Sequence, residues 1–481
     1  MTKDQELGIT VDKEKNVSEW FTQAVTKAEL AEYAPMKGFM IIEPYGMKIW
    51  ENIKENFNEM IEDEVDNASF PSLIPESLLE KEKDIVEGFD PEVAWVTEAG
   101  KDGELEEKLA VRPTSESMIA PYMSKKIRSY RDLPFRVNQW CNIVRWEATD
   151  TRPFLRTREF LWQEGHTAHR NNEKAHKEVM KRLNQYEKLY EEFLAIPVLK
   201  GKKPEHDKFP GAEVTMTVEA LMPSGRSIQS GTSHNLGQQF AKAFDIEYED
   251  ENQENNYCYT CSWGLSTRSI GPLALAHGDS QGLVLPPRIA PIQAVIVPIF
   301  QEESKEEVLD YCRELEDELK GIRTEIDRED HRSPGYKFNK WELKGVPLRI
   351  EIGPNEAEDR EVTLVRRDNR DKKIVKLEEA GQKVEGTLEE IHEDLYQNLL
   401  DYRDKHIHEA VSYEEILEKI EEEKGYVKAP WCGREECEAE VKDEIHAEIV
   451  MVPLEDEELE GENCAICGNK AIKNAYFAKT Y

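Results

Sequence analysis

The sequence predicts an α+β protein of three parts, and three observations support this prediction. Residues 1–285 mix short β-rich runs with amphipathic helices, such as Asn172–Ile196, whose apolar side chains share one face. In residues 286–404, strands alternate with helices, which is the pattern of a compact α/β domain. Residues 405–481 begin with a charged helix and carry four cysteines in two close pairs. This last part is therefore predicted to be a small metal-binding α/β domain.

The elements of the second part follow from its hydrophobic pattern. Ala294–Phe300 is a continuous apolar run, which predicts a buried strand. Apolar residues recur every three or four positions in Glu302–Lys320, which predicts a helix. Two further strands are expected at Val346–Ile352 and Glu361–Val365, followed by a helix at Leu388–Arg403.

Charge and hydropathy limit the possible classes of protein. The 481 residues include 99 acidic and 63 basic ones, so the formal net charge is −36. Such a charge repels polyanions at long range and argues against indiscriminate nucleic-acid binding. No segment has the roughly 20 apolar residues that span a bilayer, and Met1–Thr10 is polar, unlike a secretory signal. We therefore expect a cytoplasmic protein with no membrane partner.

An arginine-rich segment at Arg145–His169 carries the most informative chemistry. Arg145, Arg152, Arg156 and Arg158 are interleaved there with aromatic and acidic residues. The planar guanidinium grips phosphate oxygens in pairs, and a nearby carboxylate accepts a hydrogen bond from an adenine amino group. The segment therefore predicts ATP binding, with a purely structural, salt-bridged hairpin as the alternative.

The same segment resembles a known family. Arg145-Trp146-Glu147, followed by a loop and Arg156, resembles motif 2 of class II aminoacyl-tRNA synthetases, and residues 282–291 resemble motif 3 of prolyl-tRNA synthetases. This resemblance implies a catalytic domain built on an antiparallel sheet. It also implies that Arg145 bridges the proline carboxylate and the α-phosphate of ATP, that Arg156 and Arg288 hold the outgoing phosphates, and that Glu147 contacts the adenine.

Other segments resemble the amino-acid pocket of that family. Residues 112–116 are similar to the loop that receives the amino acid, where Thr114 and Glu116 can accept both N–H donors of proline. Residues 160–169 closely match prolyl-tRNA synthetases. The resemblance assigns further residues to the proline pocket, namely Trp162, Glu164, His166, Phe209, Ser233 and His277. It assigns Gln229 and Thr232 to the ATP site, in a segment that closes over the bound nucleotide. Without the family, a histidine beside aromatic residues is more often part of a core.

The second part contains candidate RNA contacts. Residues 332–349 interleave aromatic and basic side chains and resemble the anticodon-binding domain of the archaeal and eukaryote-like branch of the family. Aromatic rings stack on splayed bases, and cations contact phosphates. Arg332, Lys337 and Lys340 are the candidates, with an exposed basic loop as the alternative.

The cysteines predict a structural zinc site. Cys432 and Cys437 form one pair, and Cys464 and Cys467 form a second pair followed by glycine. Two close thiolate pairs supply four soft ligands, which is typical of closed, structural Zn²⁺ sites. A further CxxC at residues 258–261 lies in an expected strand, where the two side chains would point to opposite faces, so it is predicted to be two separate buried thiols.

The resemblance, which covers nearly the entire chain, implies a specific reaction. A prolyl-tRNA synthetase activates L-proline with ATP and Mg²⁺ to prolyl-adenylate and then charges tRNA(Pro), commonly as a homodimer. Only residues 170–281 separate the two motifs, too few for the large inserted editing domain of many bacterial enzymes. Two alternatives remain: a class II synthetase for threonine, histidine or serine, and a synthetase-like tRNA sensor without catalysis. A class I synthetase is disfavoured, because no early HIGH signature is present.

Overall fold

The computed structural model describes residues 8–83, 92–101, 103–455, 459 and 461–481. Most of the polar segment that we interpreted as non-secretory, residues 1–7, lies outside this description. Among the described helices, none is both long enough and apolar enough to cross a membrane.

The first part of the chain forms a helical layer and small sheets. Its elements are α1 (Val17–Lys27), β1 (Ala31–Tyr33), β2 (Met40–Ile42), α2 (Pro44–Ile61), β3 (Asp66–Asn67), β4 (Leu73–Pro75), α3 (Glu76–Lys83), β5 (Trp95–Glu98), β6 (Glu104–Val111) and α4 (Glu116–Lys126). The side chain of Asn16 caps α1 by accepting a hydrogen bond from the Glu19 amide at 3.1 Å. Helix α1 then buries Trp20 and Phe21 in the main core.

A large antiparallel sheet follows. Its elements are β7 (Phe135–Val144), β8 (Glu159–His169), α5 (Asn172–Lys188), β9 (Val198–Lys202), β10 (Val214–Leu221), β11 (Arg226–Gly237), α6 (Gln239–Ala243), β12 (Glu247–Glu249), β13 (Asn255–Tyr257), β14 (Tyr259–Ser266) and α7 (Ile270–His277). The strands lie in the order β9-β10-β11-β14-β8-β7. Helix α5 buries Val179, Leu183 and Tyr186 against one face of the sheet, which leaves the other face open for a site.

The second part is a mixed five-stranded sheet with helices. Its elements are β15 (Ala294–Pro298), α8 (Lys305–Glu318), β16 (Thr324–Ile326), α9 (Pro334–Leu343), β17 (Leu348–Ile352), α10 (Pro354–Asp359), β18 (Glu361–Arg366), β19 (Lys372–Lys376) and α11 (Ala380–Lys405). The strand order is β16-β15-β17-β18-β19. Every strand and helix that the pattern predicted is present. Helix α11 starts earlier than expected, because Val384 and Thr387 are also buried on its inner face.

The last part extends the large sheet instead of forming a sheet of its own. Its elements are β20 (Ile407–Glu409), α12 (Tyr413–Glu418), β21 (Tyr426–Trp431), α13 (Glu435–Ile445), β22 (Ala447–Pro453) and β23 (Lys473–Thr480). Strand β22 pairs with β9 through Val452 and Lys202, so the sheet has eleven strands in all. The hydroxyl groups of Tyr481 and Ser224 lie 2.6 Å apart, which ties the end of this part to the β10–β11 turn. The α+β fold predicted from the sequence is confirmed.

Candidate active site

A cavity of about 360 Å³ opens on the face of the sheet opposite α5. Strands β7, β8, β10, β11 and β14 and their loops surround it. Most of the predicted site residues line this cavity: Thr114, Glu116, Arg145, Glu147, Arg156, Trp162, Glu164, His166, Phe209, Gln229 and Thr232. Residues far apart in sequence therefore meet at one place, as the motif interpretation required.

Three guanidinium groups make one side of the cavity strongly cationic. Arg145 and Arg156 line the cavity together with a third arginine, Arg268. Arg268 lies in a short turn that follows β14. The Arg268 Nε donates to the Leu155 carbonyl oxygen at 2.9 Å, which orients the guanidinium. Burial lowers the pKa of Arg268, and the positive charges of Arg145 and Arg156 lower it further. Cations crowded in this way suit a polyanion such as a triphosphate.

The prediction that Arg288 converges with Arg145 and Arg156 is wrong. Arg288 donates from Nη1 to the Glu192 carbonyl oxygen at 2.8 Å and forms an ion pair with Glu389 of α11. Its guanidinium thus joins the first and second parts of the chain outside the cavity. Arg268 was not among the residues predicted from the sequence, although a lone cation between a buried strand and the fully buried helix α7 was a usable signal.

Glu164 is the centre of a buried polar network. Its Oε1 accepts hydrogen bonds from Ser115 Oγ at 2.5 Å and from Gln139 Nε2 at 2.7 Å, and its Oε2 lies 3.1 Å from His166 Nε2. Burial opposes the charge, yet these hydrogen bonds and the His166 charge hold the pKa of Glu164 below its ordinary value. Nearby, the Thr114 hydroxyl donates to the Glu116 carboxylate. The cavity therefore presents fixed carboxylates close to Arg145.

Aromatic rings shape the remaining wall. The Arg145 guanidinium lies 5.9 Å from the Trp162 ring centroid and 5.7 Å from that of Phe160. The Trp162 ring lies so close to Gly264 that a Cβ there would come within 2.4 Å of it, so only glycine fits below the ring. The Phe209 ring packs against His234, with centroids 4.8 Å apart. This part of the cavity is suited to a small ring with a charged group.

Two predicted pocket residues lie elsewhere. Ser233 is fully buried on the face of β11 that meets α5, because strand side chains alternate and its neighbour Thr232 faces the cavity. His277 is buried in α7, where its Nε2 lies 2.9 Å from the Leu194 carbonyl oxygen. Burial lowers the pKa of His277 to about 4, so it is a neutral core histidine. The prediction that these two residues contact proline is wrong. His234, which belongs with Thr232 and Ser233 to the segment that resembles the family segment closing over the substrates, lines the cavity instead.

The candidate RNA contacts on α9 and just before it differ in accessibility. Arg332 is exposed and stacks on Tyr336, with its guanidinium carbon 4.3 Å from the ring centroid. Lys340 is half-buried and pairs with Glu329 at 2.7 Å. Lys337 is buried and donates to the Asp327 carbonyl oxygen at 3.1 Å, so the prediction that it contacts RNA does not fit the structure. Its helical spacing directs it into the core beside Trp341.

The four C-terminal cysteines form one cluster. Their Sγ atoms all lie within 4.8 Å of one another, and Cys432 Sγ is 3.5 Å from Cys437 Sγ and 3.6 Å from Cys467 Sγ. Tetrahedral thiolates around Zn²⁺ at about 2.3 Å are about 3.8 Å apart, so the donor set fits zinc. By contrast, Cys258 and Cys261 are buried in different apolar clusters, so they are two separate buried thiols as predicted, although only Cys261 lies in a strand and Cys258 directly precedes β14.

Comparisons with known proteins agree with this geometry. Family models match residues 96–276 (tRNA synthetase class II core domain (G, H, P, S and T)), 293–387 (anticodon binding domain) and 413–481 (prolyl-tRNA synthetase, C-terminal). The chain is 56% identical to a proline–tRNA ligase of Haloarcula marismortui, covering 100% of both. Two crystal structures of prolyl-tRNA synthetase from Cryptosporidium parvum cover 99% of this chain and 100% of theirs. The complex with halofuginone and AMPPNP has a TM-score of 0.94 at 42% identity, and the complex with L-proline and AMP has 0.92 at 41%.

Proposed function

We propose that this chain, which belongs to the prolyl-tRNA synthetase family, activates L-proline with ATP and transfers the prolyl group to the 3′ end of tRNA(Pro). One observation carries the proposal: three arginines and the Glu164–His166 network line the same cavity. A polyphosphate and a small zwitterion can therefore be bound side by side. The class II core and the C-terminal prolyl-tRNA synthetase model support this over an unrelated nucleotide-binding fold.

In the first step, a proline carboxylate oxygen attacks the α-phosphate of ATP, and pyrophosphate leaves. The residues contribute positioning and charge neutralisation, since no strong base is required. Arg145 lies over the Phe160 and Trp162 rings and beside Arg268, where it can bridge the proline carboxylate and the α-phosphate. Arg156 and Arg268 would hold the leaving phosphates, and Glu147 and Gln229 would contact the nucleotide.

Magnesium would accompany the nucleotide. Within the described ranges, the cysteine cluster is the one group of three or more metal-binding side chains close enough to hold an ion, so the cavity has no preformed carboxylate cage. Mg²⁺ commonly keeps several waters and binds through substrate phosphates with one or two carboxylates. When bound, it would share the neutralisation of the triphosphate with the arginines.

Proline would bind at the carboxylate side of the cavity. Its secondary ammonium has two N–H donors, which the Thr114 hydroxyl and the Glu116 carboxylate can accept. The Trp162 and Phe209 rings, with His166, would enclose the pyrrolidine ring. In the second step, a terminal ribose hydroxyl of tRNA attacks the adenylate carbonyl carbon and releases AMP.

The three parts would divide the work. Residues 1–285 would carry the chemistry, residues 286–404 would bind the anticodon with Arg332 exposed for contact and Lys340 beside it, and residues 405–481 would hold structural zinc. We also propose a cytoplasmic homodimer. The β1–β2 hairpin supports an interface, because Tyr33, Met36 and Ile41 are exposed apolar side chains there.

Proline-dependent exchange of labelled pyrophosphate into ATP tests the proposed function. We expect exchange with L-proline to exceed that with threonine, histidine and serine by about 10,000-fold or more, the rejection that a fitted polar site achieves. Alanine and cysteine should be included as small competitors. If no label enters ATP with proline, the proposed function is wrong; if threonine, histidine or serine is preferred, a sibling synthetase is favoured.

We expect the isolated enzyme not to hydrolyse alanyl-tRNA(Pro). A pocket for a pyrrolidine ring excludes smaller alanine only weakly, by about 1–3 kcal/mol per methylene, so some misactivation is expected. The segment between β8 and β14 forms strands of the catalytic sheet and leaves little chain for an editing domain. Deacylation of purified alanyl-tRNA(Pro) can be measured directly, and hydrolysis above the rate without enzyme would contradict this prediction.

Replacing Cys464 by serine should abolish stoichiometric zinc binding and lower the stability of the C-terminal part. One ligand of a four-thiolate site is lost, and binding of structural zinc contributes directly to folding. Metal analysis and thermal unfolding are the measurements. Cys258→Ser, a buried thiol outside the cluster, should retain the metal; equal metal loss in both variants would contradict the assignment.

The His166–Glu164 pair predicts a pH dependence of stability. Burial disfavours charge on His166, but the Glu164 hydrogen bond and the charges of Glu116 and Glu164 raise its pKa above 6.5. The pKa of Glu164 is held below 4.5. The pair therefore stabilises the fold fully between pH 4.5 and 6.5, and this contribution decreases as pH rises through the raised histidine pKa or falls through the lowered glutamate pKa. The free energy of unfolding of His166→Gln should lose the decrease above pH 6.5, whereas part of the acid limb should remain because Ser115 and Gln139 still donate to Glu164; an unchanged profile above pH 6.5 would contradict the pairing.

A further inference from the structure

The segment between β9 and β10 forms part of the cavity wall. Three consecutive residues, Asp207, Lys208 and Phe209, line the cavity, with Phe209 against His234. The segment is a short turn and an irregular stretch with no long element of its own. Its position must therefore be fixed by neighbouring parts of the chain.

One end of this segment is anchored within the catalytic part. The Phe209 amide donates to Thr215 Oγ1 at 2.9 Å, and the same oxygen lies 2.9 Å from His234 Nδ1. Lys203 lies 3.1 Å from Asp207 and 3.3 Å from the buried Glu219. These contacts fix both sides of the turn but leave its tip, at His206, without a partner from the catalytic part among the described residues.

The tip is held by the C-terminal part. His206 Nε2 contacts the Oε2 of Glu438 on α13. The Glu438 side chain is buried, and its Oε1 accepts a hydrogen bond from the Ile449 amide of β22 at 3.0 Å. One carboxylate oxygen is thus fixed within the C-terminal part, and the other contacts the cavity segment. The adjacent pairing of β22 with β9 brings the two parts together at the start of the segment.

Glu438 directly follows a residue of the cysteine cluster. Cys437 and Glu438 are consecutive in α13, and both side chains are buried. A carboxylate in such a position is stabilised only while its partners stay in place. The same turn of α13 therefore carries both the cysteine of the cluster and the carboxylate that contacts His206. A disturbance of this turn at Cys437 would also disturb the His206 contact.

We propose that His206 and Glu438 are positioning residues through which the cysteine-bearing part fixes Phe209 in the substrate pocket. This inference rests on the proposed function, since it assigns the wall to the proline side of the cavity. Loosening the contact would let the 205–209 segment move and would weaken proline binding more than ATP binding. The C-terminal part would then influence proline binding by fixing the position of Phe209, in addition to stabilising the fold.

A set of four variants tests the proposal: His206→Ala, Glu438→Gln, the double variant, and Glu436→Gln as a matched control. Glu436 is exposed on the same helix, whereas Glu438→Gln keeps an acceptor for the Ile449 amide. We expect the KM for proline in pyrophosphate exchange to rise about five- to tenfold in either single variant, within the range of measured couplings between contacting residues. The KM for ATP and the kcat should stay within about twofold. The double variant should be no worse than the worse single variant, because both changes break one contact.

Amide hydrogen exchange supplies a readout that does not depend on activity. Exchange at residues 205–209 should accelerate in His206→Ala while metal content stays at wild-type level, and removing the metal from wild-type protein should accelerate the same amides. An unchanged KM for proline, additive effects in the double variant, equal increases in both KM values, or unchanged exchange at 205–209 would each overturn the proposal. If wild-type protein shows no proline-dependent exchange of pyrophosphate, the proposed function fails, whereas the hydrogen-exchange results still decide whether the contact orders the segment.

Discussion

Replacing Arg145 by lysine should lower proline-dependent ATP–pyrophosphate exchange by about 100- to 1,000-fold, the usual cost of removing one oriented donor from a transition state. Lysine keeps the charge but loses the planar fork that can hold a carboxylate and a phosphate together. Arg145 is positioned for such bridging, because it lies over the Phe160 and Trp162 rings and lines the cavity. A single ammonium would bind one anion and leave the other unpositioned.

The control for this variant is Arg158→Lys. Arg158 belongs to the same arginine-rich segment, but it stacks on Trp146 with its guanidinium carbon 4.5 Å from the ring centroid and donates to the Ala148 carbonyl oxygen. It does not line the cavity, so its variant should retain exchange within a fewfold. Thermal unfolding should show that both variants remain folded. Near-normal exchange in Arg145→Lys would reject the bridging role.

Local patterns were sufficient to predict much of the fold and of the site. Ala294–Pro298 was predicted as a strand because a short apolar run rich in β-branched residues favours one, and Lys305–Glu318 as a helix because its apolar residues recur every three or four positions. Arg145 was identified because few side chains can hold phosphate oxygens in pairs, whereas Glu164 and Phe209 were identified by the resemblance of their segments to prolyl-tRNA synthetases. Residue types and spacing were therefore sufficient for the phosphate side of the site, and the proline side depended on the family resemblance.

The direction of individual side chains could not be read in the same way. Ser233 lies one position from Thr232, and strand alternation sends the two to opposite faces of β11. Lys337 lies on the inner face of α9, where the carbonyl oxygen of Asp327 satisfies its ammonium. Each error arose where a motif suggested the right neighbourhood, while the local geometry selected a different residue.

Long-range pairing was also beyond the sequence pattern. The pairing of β22 with β9 joins Val452 to Lys202, and a hydrophobic pattern does not specify which distant strand edge a strand will meet. The cysteine pairs predicted a compact unit, and that unit forms. Its attachment to the catalytic sheet depends on the open edge of β9, which only the three-dimensional structure reveals.

Arg268→Lys should reduce exchange by about 100-fold or more, whereas Arg288→Lys should leave it within about twofold. Arg268 is directed into the cavity by its hydrogen bond to Leu155 and stands beside two other cations, so it can hold a leaving phosphate through paired N–H donors. Arg288 instead forms a half-exposed ion pair with Glu389, and such pairs contribute only about 0–1 kcal/mol to stability.

Both variants replace arginine by lysine, so a difference in exchange between them reports where each arginine lies relative to the cavity. The KM for ATP and the kcat of exchange should be measured at equal zinc content and with thermal unfolding as a check on folding. The loss in Arg268→Lys should fall mainly on kcat, because charge on the leaving pyrophosphate develops in the transition state. Equal losses in the two variants, or a larger loss in Arg288→Lys, would restore the motif-based assignment and show that the Glu389 ion pair breaks when ATP binds.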